Sequence, residues 1–168
     1  MKQGPRYRVK PRRRREGITD YRKRLSLLKS RKTRIVVRNS LSHIRVQFVE
    51  YEEKGDKILT SAISKELVSL YNWKHSTSTT PAAYLTGLLA GKRAFDLKIK
   101  EGILDLGRQI PTSGSKNFAA VKGIIDAGVT CPHNEEKLPD ETRLMGEHLD
   151  KKMSSDVNNI KTKIIGGK

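Results

Sequence analysis

Residues 33–52 read TRIVVRNSLSHIRVQFVEYE, and their period decides the fold. Ile35 and Val37 alternate with Arg34, Val36 and Arg38. Beyond a turn around Asn39-Ser40, Ile44, Val46 and Phe48 alternate with Arg45 and Gln47. Successive side chains of a strand point to opposite faces, so this spacing predicts an antiparallel pair with one apolar face and one face bearing arginine. EEKGD (52–56) supplies a second turn, and KILTSAIS (57–64) a third strand. The three form an antiparallel meander. Arg34, Arg38 and Arg45 on its polar face are secondary candidates for contact with a polyanion.

Toward the C-terminus the period changes from two to that of helices. SKELVSLY (64–71) predicts a short helix, and HSTSTT (75–80) a polar loop. Pro81 opens PAAYLTGLLAGKRAFDLKI (81–99), with proline in the first turn and Thr80 as cap. Ala83, Gly87 and Gly91, four apart, form a smooth stripe that would let this helix press closely on a sheet. EGILDLG (101–107) predicts a short buried strand, and KNFAAVKGIIDAG (116–128) a second long helix stopped by Gly128. Two long helices flanking a strand extend the meander into an α/β fold with a mixed sheet. DETRLMGEHLDKK (140–152) predicts a last short helix. MSSDVNNIKTKIIGGK (153–168) shows no clear period and is expected to be a loose tail. No internal repeat is present.

Toward the N-terminus the sequence stops resembling a folded domain. Residues 1–34 hold 15 of the 35 Lys and Arg but only 2 of the 18 acids, Glu16 and Asp20. The remaining chain is close to balanced, so most of the net charge of +17 sits in an arm. MKQGPRYRVKPRRRREG (1–17) is expected to be extended, because proline, glycine and self-repelling charge leave nothing to bury. Thr19-Asp20 caps a helix running to about Ser30, with Ile18, Tyr21, Leu25 and Leu28 on one side. Four arginines, Arg12 to Arg15, directly precede that helix start. Cations there oppose the helix dipole unless an anion lies nearby. The expected division is a basic arm over 1–17, one α/β domain over 18–150 and a tail over 151–168.

Such an arm points first to nucleic acid. A secretory signal would need an apolar run behind its basic start, and residues 1–34 contain none. Gly4, Pro5 and Pro11 interrupt the amphipathic helix of a presequence. The longest uncharged run, 75–91, is too short and too rich in Ser and Thr to span a bilayer. One cysteine, Cys131, excludes an internal disulfide and fits a reducing compartment. Arginine binds phosphate bidentately and stacks on bases. Interleaved with Tyr7 and followed by Tyr21, the arm fits folded RNA, whose loops expose bases.

The loop PTSGSK (111–116) is a second candidate. Thr112, Ser113, Gly114, Ser115 and Lys116 precede a helix, whose N–H groups and dipole could receive a phosphate. Ordinary capping accounts for Ser113 or Ser115 equally well, and the spacing is not that of a Walker loop. A metal-dependent nucleic-acid enzyme with a basic arm is the alternative of another class. It would need several carboxylates converging on two ions. Asp105, with Asp20, Asp126 and Glu101 scattered around it, lacks a strand partner at a useful offset, and reads as an edge-exposed or capping acid. Cys131 and His133 are half a zinc site at best. His43, His75 and His148 are isolated. Glu135, Glu136, Asp140, Glu141, Glu147 and Asp150 form an acidic cluster that could contact the protein's own basic surface or a basic neighbour protein, with a solvated face as the default reading.

Four ordered motifs carry a resemblance: RRRREGITDYRKRL (12–25), PAAYLTGLLAGKRA (81–94), GSKNFAAVKGIIDAG (114–128) and PHNEEKLPDETRLMGEHL (132–149). Together they resemble the archaeal and eukaryotic type of universal large-subunit ribosomal protein eighteen, over about Gly4 to Leu149. That family binds 5S ribosomal RNA. The resemblance implies a non-enzymatic protein of the cytoplasmic ribosome, without cofactor, metal, membrane contact or homo-oligomer. It would sit at the central protuberance and help attach 5S RNA to the large-subunit RNA, among neighbouring large-subunit proteins. Carried onto this sequence, the implied RNA contacts are Arg6, Arg8, Lys10, Arg12, Arg13, Arg14 and Arg15, then Thr19, Tyr21, Arg22 and Arg24, with the TSGSK loop beside them. Two positions depart from the family pattern. Ile18 stands where a basic residue is common, and no glycine occurs near Tyr71-Asn72-Trp73.

Overall fold

The alternation in residues 33–64 becomes β1 (Arg34–Asn39), β2 (Ile44–Glu50) and β3 (Lys57–Ile63) in a computed structural model that describes residues 4–150 and 152–166. The β1–β2 register sets Ile35 opposite Phe48 and Val37 opposite Val46. That register puts the five residues Ile35, Val37, Ile44, Val46 and Phe48 on one face, all fully buried. A strand over Ile103–Asp105, β4, pairs parallel with β1, and the sheet order is β3-β2-β1-β4. The mixed α/β sheet expected from the sequence is therefore present, with the antiparallel meander extended by one strand.

The chain crosses from β3 to β4 through α3 (Lys65–Tyr71) and α4 (Thr80–Asp96). Thr79, not Thr80, caps α4, its hydroxyl accepting the Ala82 N–H at 3.4 Å. Every residue from Thr80 to Gly91 is buried, because α4 touches β2 and β3, α5 (Lys116–Asp126) and a C-terminal helix. The small-residue stripe faces α5, not the sheet. A Cβ on Gly87 would strike the backbone of Ala120, and one on Gly123 the carbonyl of Tyr84. Glycine is needed here because two helix backbones touch. The turn after α3 keeps its shape without glycine, since Asn72 adopts the left-handed conformation at φ 54°.

The helix expected at 140–152 is α6 (Glu141–Met145). The loose tail is corrected: residues 153–166 form α7 (Met153–Gly166), packed on α4. Met153, Val157, Ile160 and Ile164 are buried in the same core as the sheet. The extended arm is also corrected in part, because Arg12–Arg15 form one helical turn, α1. Met1, Lys2 and Gln3 of the expected arm lie outside the described residues.

Candidate nucleic-acid interface

The helix after the arginine run is α2 (Tyr21–Lys29). Asp20 caps it as the sequence suggests, its carboxylate accepting the N–H groups of Arg22 at 3.0 Å and Lys23 at 3.2 Å. Its apolar stripe does not enter the core. No residue of α2 is buried, and Leu25 remains 57% exposed. The helix stands off the polar face of the sheet, over a groove of about 630 Å³. On its other side, between α2 and the arm, lies a second hollow of about 570 Å³. Arg14, Tyr21, Arg22, Leu25 and Arg108 line this hollow. Guanidinium groups beside an exposed tyrosine ring are suited to bind phosphate and stack on a base.

The arm residues Arg6, Arg8, Lys10 and Arg12 to Arg15 are all exposed. Arg13 donates to the Thr19 hydroxyl at 2.9 Å, and Arg12 lies 3.7 Å from Glu16. Tyr21 and Arg22 are exposed as well, whereas Arg24 turns inward onto Asp56. Arg108, in the loop after β4, has its guanidinium against Gly17 and lines both hollows. The sequence reading missed it, because a lone arginine after a short strand carries no periodic signal.

The sheet's arginine face is only partly available. Arg34 is 2% exposed and ion-paired to Asp56 at 2.7 Å and Asp105 at 3.2 Å. Arg38 reaches the other oxygen of Asp105 at 3.1 Å. Arg34 is thus removed as a contact candidate, and of these three sheet arginines Arg45 alone is exposed with no ion pair to the described residues. Asp105 lies on the edge strand as expected but is buried, not edge-exposed, and also accepts the Gly107 N–H at 2.8 Å. Burial alone would raise its carboxyl; the charges of Arg38 and Arg34 and those hydrogen bonds outweigh this and hold it below the ordinary carboxylate range. Asp56 behaves alike: burial pushes up, and hydrogen bonds from Arg24 and Arg34 bring it below its ordinary value.

The loop at 111–116 lies apart from both hollows. Thr112 and Ser113 are exposed, and Gly114 takes φ 66°. Ser115 holds the cap position of α5 without a side-chain cap bond. Lys116 reaches the Ser78 hydroxyl at 3.1 Å, so the two hydroxyl-rich loops of the sequence meet. Burial pushes the Cys131 thiol up to about 11. His75 contacts Asp156 of α7 at 3.0 Å. Among the described residues no three His, Cys, Asp or Glu side chains converge on a metal site, and no helix is long and apolar enough to cross a membrane.

A mixed α/β core with a standing-off basic helix and an exposed cationic arm has the build of a polyanion-binding type of protein. Residues 5–101 match the profile of the family described as "Ribosomal large subunit proteins 60S L5, and 50S L18". The chain is 52% identical over 149 residues to the large ribosomal subunit protein uL18 of Korarchaeum cryptofilum, covering 89% of this chain and 76% of that one. It is 49% identical to the uL18 of Aeropyrum pernix, covering 89% of this chain and 70% of the other. With the uL18 of Methanococcoides burtonii the identity is 49%, over 89% of this chain and 86% of that protein. The chain belongs to the uL18 family of large-subunit ribosomal proteins. It is a structural component of the ribosome, associated with ribosomal RNA and other ribosomal proteins, and not an enzyme.

Proposed function

We propose that this protein binds 5S ribosomal RNA and helps attach it to the large-subunit RNA at the central protuberance of the cytoplasmic ribosome. The observation that carries the reading is the hollow in which Arg14, Arg22 and Arg108 surround Tyr21 and Leu25. RNA phosphate supplies the charge that the arginine run lacks, and the exposed ring offers a stacking surface for an unpaired base. Arg6, Arg8, Lys10 and Arg12 to Arg15 contribute phosphate contacts, with Thr19, Tyr21 and Arg22 beside them. Thr112 to Lys116 form a second contact. The arm over 1–17 acts as a tether, and the domain that follows selects by shape.

The test is affinity for 5S RNA against a length-matched unrelated structured RNA, across a salt series. If about half of the basic residues in 1–34 meet phosphate, log affinity falls against log salt with a slope of roughly −5 to −7. A clear 5S preference at moderate salt is the expected result. A steep slope without preference reduces the arm to a general RNA tether and overturns the 5S reading.

A further inference from the structure

Asp56 sits at the end of the β2–β3 turn and lines the groove beneath α2, where two arginines from different elements converge on it. One Arg24 nitrogen on α2 donates to both carboxylate oxygens, at 2.9 Å and 2.8 Å. Arg34 of β1 donates to the same carboxylate at 2.7 Å. Arg34 is itself fixed from the other side by Asp105 of β4. The chain Arg24–Asp56–Arg34–Asp105 therefore runs from the basic helix into the sheet. Little else performs this task. Among the described residues, the other side-chain hydrogen bond from α2 to the sheet side is Lys23 to the Gly107 carbonyl, at 3.5 Å. With no buried side chain on α2, apolar packing contributes little to its placement.

We infer that Asp56 is a positioning residue for RNA binding, which clamps α2 to the sheet through Arg24 so that Tyr21, Arg22 and the arm are presented in one fixed pose. The inference rests on the RNA-binding reading above and assigns Arg24 a different role from its neighbours: an inner anchor and not a phosphate ligand. A helix held in the competent pose for only a fraction of the time binds more weakly by that fraction.

Charge alone predicts the opposite. Asp56→Asn removes a negative charge and releases Arg24 toward solvent, so a purely electrostatic surface would bind RNA more tightly, with a steeper salt slope. Positioning predicts weaker binding. The experiment compares the full-length wild type with Asp56→Asn, Arg24→Gln and the double variant, on a 5S RNA transcript and on the unrelated control RNA. Amide exchange in the free proteins is followed in parallel. The expected result is a roughly tenfold loss for either single variant, no further loss in the double, and an unchanged salt slope. Amides of residues 24–28 should exchange faster, while β1, β2, α4 and α5 stay as in the wild type. Arg24→Gln leaves the Asp56–Arg34 pair in place, so its result holds even if Asp56→Asn disturbs the sheet.

Tighter binding by Asp56→Asn would overturn the inference. So would a slope reduced by about 0.9 for Arg24→Gln, since that marks a phosphate contact. Absence of 5S preference in the wild type would defeat the proposed function instead. The exchange data and the ordering of variants on the control RNA would still decide the role of Asp56.

Discussion

Across the parallel β1–β4 pair, the Arg34 guanidinium lies 3.2 Å from the Asp105 carboxylate, with both side chains almost wholly buried. Removing one partner of a buried ion pair costs about 3–5 kcal/mol where it leaves the other charge uncompensated. Arg34 keeps Asp56 at 2.7 Å, so Asp105→Asn should lower stability to urea unfolding by less than that, and a wild-type midpoint would mean the pair is structurally idle. Acid should act in the same direction. Both Asp105 and Asp56 titrate below their ordinary range in the folded protein. Their stabilisation is therefore complete above the unfolded carboxyl value of about 3.9, and is lost as pH falls through the lower folded values. Urea midpoints should hold near neutrality and drop below about pH 4, with a shallower drop in Asp105→Asn.

The polar sheet face illustrates what the sequence could and could not convey. Period two placed Arg34 opposite the core face correctly, and the antiparallel meander followed from it. Alternation cannot tell a solvated arginine from one buried under ion pairs, because the deciding carboxylates, Asp56 and Asp105, lie 22 and 71 residues away. The glycine stripe was legible as a close-packing surface for the same kind of local reason. Its partner was not, since a sheet and a second helix place the same demand on small residues. In α7 the signal existed: Met153, Val157, Ile160 and Ile164 follow 4-3-4 spacing. It is masked by β-branched residues and by Ser, Asn and Thr, all weak helix formers, and tertiary burial overrides that preference.

Gly87 provides a sharp packing test. Its missing Cβ would lie against the main chain of Ala120, and main chain cannot swing aside as a flexible side chain can. Overpacking of this sort costs about 1–3 kcal/mol and sometimes more. Gly87→Ala should fall at or above the upper end of that range, despite the better helix propensity of alanine. Thermal unfolding checks it, and a neutral or stabilising result would show that α4 and α5 can separate cheaply.

The C-terminal helix makes an opposite prediction from a loose tail. Ile160 is 4% exposed and packs with the central cluster. Truncating a buried isoleucine to alanine typically costs about 2–5 kcal/mol. Ile160→Ala should destabilise by that amount, while Thr162→Ala, on an exposed position of the same helix, should change stability by less than about 0.5 kcal/mol. Equal effects of the two substitutions would return residues 153–166 to the status of a tail.

Arg108 ties the arm to the folded domain and separates local from diffuse electrostatics. Its guanidinium rests against Gly17, between the arginine run and α2. The turn it abuts, α1, is only four residues long and buries nothing, too short to hold by itself in water. RNA phosphate bridging the arm arginines and Arg108 would hold it, so amides of residues 12–18 should become protected on binding. Arg108→Gln should reduce both that protection and the salt slope, the slope by about 0.9 for one lost phosphate contact. Lys100→Gln, on an exposed lysine before β4, removes the same charge away from both hollows. It should leave protection and slope alone. If the two variants behave alike, the protein's overall charge governs binding and the hollow beside Tyr21 has no special part in it.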